Sequence, residues 1–427
     1  MPDTSPEPRS TRADGLPGDL CDAYRTVRDA TLRLAEPLSA EDACVQSMPD
    51  ASPAKWHLAH TTWFFETFVL APACPEHRPA DPSYALLYNS YYNAVGAQYS
   101  RPHRGLITRP SLTDVLDYRA RIDECIEALL AGGVAPATAA VVEVGLHHEM
   151  QHQELLLMDV KHLFSCNPTH PVYRPRATPV VQGTTPSLAF SRFSGGERWI
   201  GAPAEGFSYD NERPRHRVLI GDFELADRLV TNAEFLEFIE DGGYDDPLLW
   251  LADGYAEVPA KGHGAPLYWH RGDDGWMEFT LHGLEPLAPD APVAHVSFYE
   301  ADAFARWAGF RLPTEQEWES AADGRPVAGN FVEDDLRHPC PAPAADAPPP
   351  HQLYGDLWEW TASPYVGYPG FVPEGSGLGE YNGKFMANQM VLRGGAAVTP
   401  RAQLRPSYRN FFYPHTGWQF SGIRLAR

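Results

Sequence analysis

The sequence predicts two folded domains in one chain, an N-terminal four-helix bundle followed by an irregular α+β domain. Three observations carry this reading. The 427 residues are more than one ordinary core organises. Four segments with apolar positions at helical spacing lie before Cys166. Beyond Asn167 the texture changes to short alternating runs set among Gly, Pro and Trp, which is the signature of strands and long loops.

Residues 1–16 are rich in Pro, Ser, Asp and Arg without apolar periodicity and read as a disordered tail. The bundle is assigned to 17–166. Its first helix runs from Leu20 to Leu34, with Pro37 ending it. The second starts near Ser52, a candidate N-cap ahead of Pro53, and continues to Pro72. The third spans Ser111 to Leu130 and closes on Gly132 and Gly133. The fourth, Ala137 to Phe164, has an apolar stripe interrupted by histidines. A long crossover between the second and third carries LLYNSYYNAVGAQYSRPHRGLITRP. Residues 167–191 form a Pro-rich linker, and 192–427 the second domain, where TNAEFLEFIEDG and SFYEADAFARWAGF are the two convincing helices. No internal repeat is visible.

Composition narrows the function. With 34 basic against 56 acidic residues the formal charge is -22, which argues against nucleic acid or an anionic membrane as partner. No run approaches the roughly 18 to 20 apolar residues of a membrane helix, and the N-terminus lacks the apolar core of a signal peptide, so a cytoplasmic protein is expected. The six cysteines are scattered without a C-x-x-C, so reduced thiols are expected rather than disulfides.

The chemistry lies in the histidines. His148 and His152 are four residues apart, which stacks two imidazoles on one helix face, as two cis ligands of one metal require. On the second helix, His60 shares an inward stripe with Trp56, Trp63 and Phe64, whereas His57 lies about 90° away. A single buried histidine is more often a satisfied core residue than a ligand. Three converging on one bundle each need a partner, and a shared metal ion satisfies all three. His147 and His162 lie on other faces. The same residues spell H-E-x-x-H, the zinc-protease signature with Glu149 as base. The downstream context contradicts that reading: a metzincin would have Gly and His where Leu155 and Met158 stand, and Glu154 is too close to be the ligand a thermolysin-like enzyme needs. Three imidazoles suit zinc as well as ferrous iron, so spacing leaves the metal open.

The segments SPAKWHLAHTTWFFETFVL, LLYNSYYNAVG, HHEMQHQE, FSYDNERPRHRV, RLPTEQEWE, YGDLWEWTASPY and VLRGGAAVTPRAQLRPSYRNFFYPHTGWQFSGIRLAR occur in that order. Together they resemble the ergothioneine-biosynthesis sulfoxide synthases, the EgtB family of hercynylcysteine S-oxide synthases, over nearly all of residues 20–427. The resemblance implies a DinB-like four-helix bundle joined to a formylglycine-generating-enzyme-like domain of C-type-lectin-like fold. It implies a mononuclear non-heme iron(II) held by His60, His148 and His152, without His57. The implied reaction joins the thiol of cysteine or γ-glutamylcysteine to C2 of hercynine, Nα-trimethylhistidine, with O2.

Further roles follow from the resemblance. Tyr91 and Tyr92 are similar to the tyrosine pair of the branch that uses free cysteine, which makes one of them the proton donor and the cysteine branch the expected one. Packing alone would also account for two adjacent tyrosines. Arg101 and Arg104 match an R-x-x-R that receives the sulfur donor's carboxylate, a task suited to guanidinium forks. Gln151 matches a glutamine near the hercynine imidazole. Asn410, Phe411 and Phe412 are expected hercynine contacts, the aromatic rings suiting a quaternary ammonium. The second domain is expected to close the cavity over the metal. Formylglycine chemistry is not expected of it, since Cys340 is the one cysteine after Cys166. Trp358, Trp360 and Arg393 are expected to serve the fold. Rival readings are a related ovothiol- or selenoneine-type enzyme, a zinc hydrolase, and a catalytically silent binding protein.

Overall fold

The structure, a computed structural model, describes residues 16, 18–176, 185–261, 264–343, 348–374 and 382–427. The expected disordered tail, apart from Leu16, and residues 177–184 of the expected linker lie outside the described residues. The chain forms two compact units. One comprises the described residues up to Val160 together with Pro400–Gln403; the other comprises Lys161–Thr399 and Leu404–Arg427.

The first unit contains three of the four expected helices, Leu20–Ala35, Ala54–Phe65 and Leu112–Ala131, and the fourth, Pro136–Ser165, up to Val160. Asp19 caps the first by accepting from the Asp22 N–H, and Ser111 with Asp114 forms a capping box on the third. Ser52 does not cap the second, as the sequence suggested. Pro53 takes the flanking position, and Ser52 gives its backbone N–H to Asp159 at 2.8 Å instead. Every residue of Ala54–Phe65 is buried, so the helix has no solvent face, and it widens into a π turn over Glu66–Leu70. Gly145 on the fourth helix faces the second. A Cβ there would lie 2.6 Å from the Phe65 ring and 2.9 Å from Phe64, so only glycine permits this close approach of the two histidine-bearing helices.

Behind them a buried charge network ties the bundle together. Arg28 donates to Asp123 at 2.6 Å and to Glu149 at 2.8 Å, Arg119 donates to Glu149, and Tyr24 donates to Asp123 at 2.6 Å.

The second unit is α+β, with short sheets. A four-stranded sheet orders Asn410–Phe412, Met390–Arg393, Trp358–Pro364 and Ser421–Gly422; a three-stranded meander joins Trp269–Gly272, Gly275–Thr280 and Gly283–Pro286. Two further antiparallel pairs join Phe190–Phe193 to Phe223–Ala226 and Gly196–Ile200 to His216–Ile220. The two expected helices are Asn232–Glu240 and Phe298–Trp307, each opened by a capping box. Two more were missed, Ala252–Lys261 and Glu315–Ala322. The latter carries a readable signal, the box formed by Thr314 and Glu317. Its eight residues are too few for periodicity to declare. Trp358, Trp360 and Arg393 are all buried, with Arg393 bonded to Glu315 at 3.1 Å and Glu319 at 2.8 Å. All six cysteines are free thiols, and no helix among the described residues is long and apolar enough to cross a membrane.

Candidate metal centre

The close pairing of the second and fourth helices brings His60, His148 and His152 together in the bundle interior. All three are buried, and one ring nitrogen from each lies within 4.8 Å of the others. Ring centroids are 4.9 Å apart for His60 and His148, 4.7 Å for His60 and His152, and 4.6 Å for His148 and His152. The Nε2 atoms of His60 and His148 are 3.2 Å apart. Two nitrogens about 2.1 Å from one ion at right angles would be separated by about 3.0 Å, so the pair is spaced as cis ligands are.

Local bonds prepare the ligand atoms. His60 Nδ1 meets the Tyr88 carbonyl oxygen at 2.6 Å; a carbonyl only accepts, so the proton sits on Nδ1 and Nε2 keeps its lone pair. Burial holds the imidazoles neutral, with neighbouring histidines adding to the effect: His60 and His152 titrate well below the usual histidine range, and His148 is lowered to about 3. Neutral imidazoles are the form a metal binds, so the donor set fits a cation. Trp56 stacks on His60 at 4.5 Å between centroids, and Phe64 packs on His148 at 4.8 Å.

Glu149, the acid of the embedded H-E-x-x-H, is committed elsewhere. Burial would raise its pKa, but Arg119 and Arg28 override burial and hold the carboxylate at about 2. Thr31 adds a hydrogen bond at 2.6 Å. A carboxylate so strongly paired is a poor proton acceptor, which removes the protease reading on chemical grounds.

The other predicted residues are placed unevenly. Arg104 is buried and lies 3.5 Å from the Trp56 ring centroid, donating to Ser52 Oγ at 3.0 Å and Ser90 Oγ at 3.1 Å. Burial, then the nearby Arg101 charge, lowers its pKa to about 9, and no carboxylate pairs with it among the described residues. Arg101 is exposed and donates to the Asp50 carbonyl. Tyr92 is fully buried, its ring 6.1 Å from Trp63 and 4.9 Å from Phe68, with the Tyr91 ring tilted against it at 4.8 Å. Asn89 fixes the turn, accepting from the Tyr92 N–H at 3.0 Å and donating to its carbonyl at 2.9 Å. Gln151 is half-buried on the His148–His152 helix. Asn410, Phe411 and Phe412 form a strand of the second unit, where Phe411 stacks on Tyr365 at 4.0 Å and Phe412 packs edge-on against Trp418 at 5.6 Å.

Sequence reasoning set His57 aside and missed Asp159. His57 Nδ1 lies 2.8 Å from His152 Nδ1, and its Nε2 lies 3.0 Å from Asp159 Oδ2. The available signal was Asp159 itself, an acid two helical turns beyond His152 on a face otherwise apolar.

Residues 23–156 match the DinB superfamily, and residues 179–348 and 349–427 match the sulfatase-modifying factor enzyme 1-like domain. The chain thus joins a DinB bundle, whose three clustered histidines could hold a metal ion, to a sulfatase-modifying-factor-like domain. Hercynine oxygenase of Mycolicibacterium smegmatis is 35% identical over 95% of this chain and 98% of its own length. The hercynine oxygenases of Mycolicibacterium thermoresistibile (34%, covering 93% of this chain and 92% of that protein) and Mycobacterium tuberculosis (33%, covering 96% and 99%) match similarly. The chain belongs to the hercynine oxygenase family.

Proposed function

We propose that the protein is an iron(II)- and O2-dependent sulfoxide synthase that joins the thiol of cysteine to C2 of hercynine and oxidises the sulfur, with γ-glutamylcysteine as the alternative donor. The observation that carries this is the cluster of three buried, neutral imidazoles in a chain of this family. His60, His148 and His152 would hold the iron, which when bound supplies open positions for the substrates and the means to activate O2.

The electron balance requires no external reductant. Joining C–H and S–H into C–S releases two electrons, and oxidising sulfide to sulfoxide releases two more. These four reduce one O2, with one oxygen kept in the product and the other leaving as water.

The chain's own residues supply binding and protons. Among the described residues the buried Arg104 guanidinium bonds no carboxylate and its Nε has no acceptor, Asp159 acting on it only through its charge. An incoming carboxylate would neutralise it, so Arg104 is assigned to the sulfur donor, with Arg101 at the exposed rim. Tyr91 and Tyr92 are assigned the proton donation, Tyr92 lying against Trp63, which itself stacks on His60 at 6.0 Å. Gln151 is assigned to hercynine from its place beside His152.

Anaerobic reconstitution with Fe(II), followed by hercynine, cysteine and O2, should give a hercynine–cysteine sulfoxide adduct by mass spectrometry. Its absence refutes the proposal. An adduct formed with γ-glutamylcysteine but not with cysteine would overturn the choice of donor and of branch.

A further inference from the structure

We propose that Asp159 and His57 are a positioning pair that sets the tautomer and aim of His152, making it the charge-backed ligand of the three. The inference rests on reading His60, His148 and His152 as a metal centre.

Proton placement follows from the acceptors. Asp159 Oδ2 receives the Ser52 N–H at 2.8 Å and faces His57 Nε2 at 3.0 Å. A carboxylate accepts, so a singly protonated His57 carries its proton on Nε2 and presents a lone pair at Nδ1. The 2.8 Å contact from that lone pair to His152 Nδ1 then requires a proton on His152 Nδ1, because two lone pairs at this separation repel. His152 is left with its lone pair on Nε2, turned away from His57. His57 and Asp159 are both buried, so water does not compete for these bonds.

The arrangement is the carboxylate–histidine–metal device with a second imidazole inserted between acid and ligand. It makes the three ligands unequal. His60 leans on the neutral Tyr88 carbonyl at 2.6 Å, whereas His152 leans through His57 on a carboxylate anchored by the start of the second helix. A packing role for His57 would need neither ring nitrogen to be bonded, yet both are.

Two readouts on the full-length apo-protein test this. In the first, Co(II) affinity is measured by chelator competition. Asp159→Asn and His57→Phe should each weaken binding about 10- to 100-fold. His57→Gln, whose amide can accept from His152 and donate to Asp159, should recover most of what His57→Phe loses. In the second, long-range 15N–1H correlation of ring-labelled histidine should show His152 protonated on Nδ1 in the wild type and no longer locked there in Asp159→Asn. Circular dichroism confirms that the variants fold, and the wild-type tautomer needs no variant.

A His152 proton on Nε2 in the wild-type apo-protein, or Co(II) affinity within about twofold of wild type in folded Asp159→Asn and His57→Phe, overturns the proposal. Wild-type protein that takes up no Co(II) would instead overturn the metal centre on which it rests.

Discussion

Replacing Glu149 by Gln separates a structural acid from a catalytic one. Its carboxylate bonds Arg28 at 2.8 Å, Thr31 at 2.6 Å and Arg119, all inside the bundle. Holding the group at about 2 against an ordinary 4.5 corresponds, by linkage, to roughly 3 kcal/mol of stability at neutral pH. Breaking a buried ion pair from one side costs about 3–5 kcal/mol, in agreement. For a unit of this size that is a fall of roughly 10 °C in unfolding midpoint, read by far-UV circular dichroism on the full chain. The sign with pH is fixed. Because the folded pKa is depressed, the contribution is complete above the unfolded value of 4.5 and is lost as pH falls towards 2, so wild type and Glu149→Gln should converge over that window. A Glu149→Gln protein that melts within about 2 °C of wild type at pH 7 but has lost turnover would refute this reasoning and restore Glu149 as a chemical base.

Three further outcomes are expected. Arg104→Ala should raise KM for the sulfur donor by about 10- to 150-fold, the loss of a charge-assisted bond worth about 1.5–3 kcal/mol; an unchanged KM would remove Arg104 from the binding site. Tyr91→Phe and Tyr92→Phe, assayed by product analysis under limiting O2, should shift output from the sulfoxide adduct towards oxidised thiol, whereas unchanged partition would exclude the pair as proton donors. Gly145→Ala should lower the unfolding midpoint by an amount equivalent to about 1–3 kcal/mol and weaken metal uptake, since its methyl would enter the Phe64 and Phe65 rings; a variant with wild-type stability and metal affinity would show that helix approach does not set the centre.

The sequence by itself was enough to identify the four bundle helices and the pairing of His148 with His152, because both are local consequences of a 3.6-residue period. It also placed His60 on the inward stripe, since burial follows the same period. Its limits were short or nonlocal features. Glu315–Ala322 is too brief to show a period, and Ser52 looks like a cap until Asp159, 107 residues away, claims its N–H. His57 was set aside on helical angle and on the family resemblance. The angle assumes one inward face, but Ala54–Phe65 is buried on every side, so a residue off the stripe still faces protein. What made His57 a partner of His152 and Asp159, and turned Glu149 away from chemistry, is the meeting of side chains 95, 102, 121 and 30 residues apart. Periodicity shows which face of a helix turns inward; only the packed bundle decides which buried nitrogen or oxygen it meets there, because a desolvated polar atom takes its role from its nearest partner.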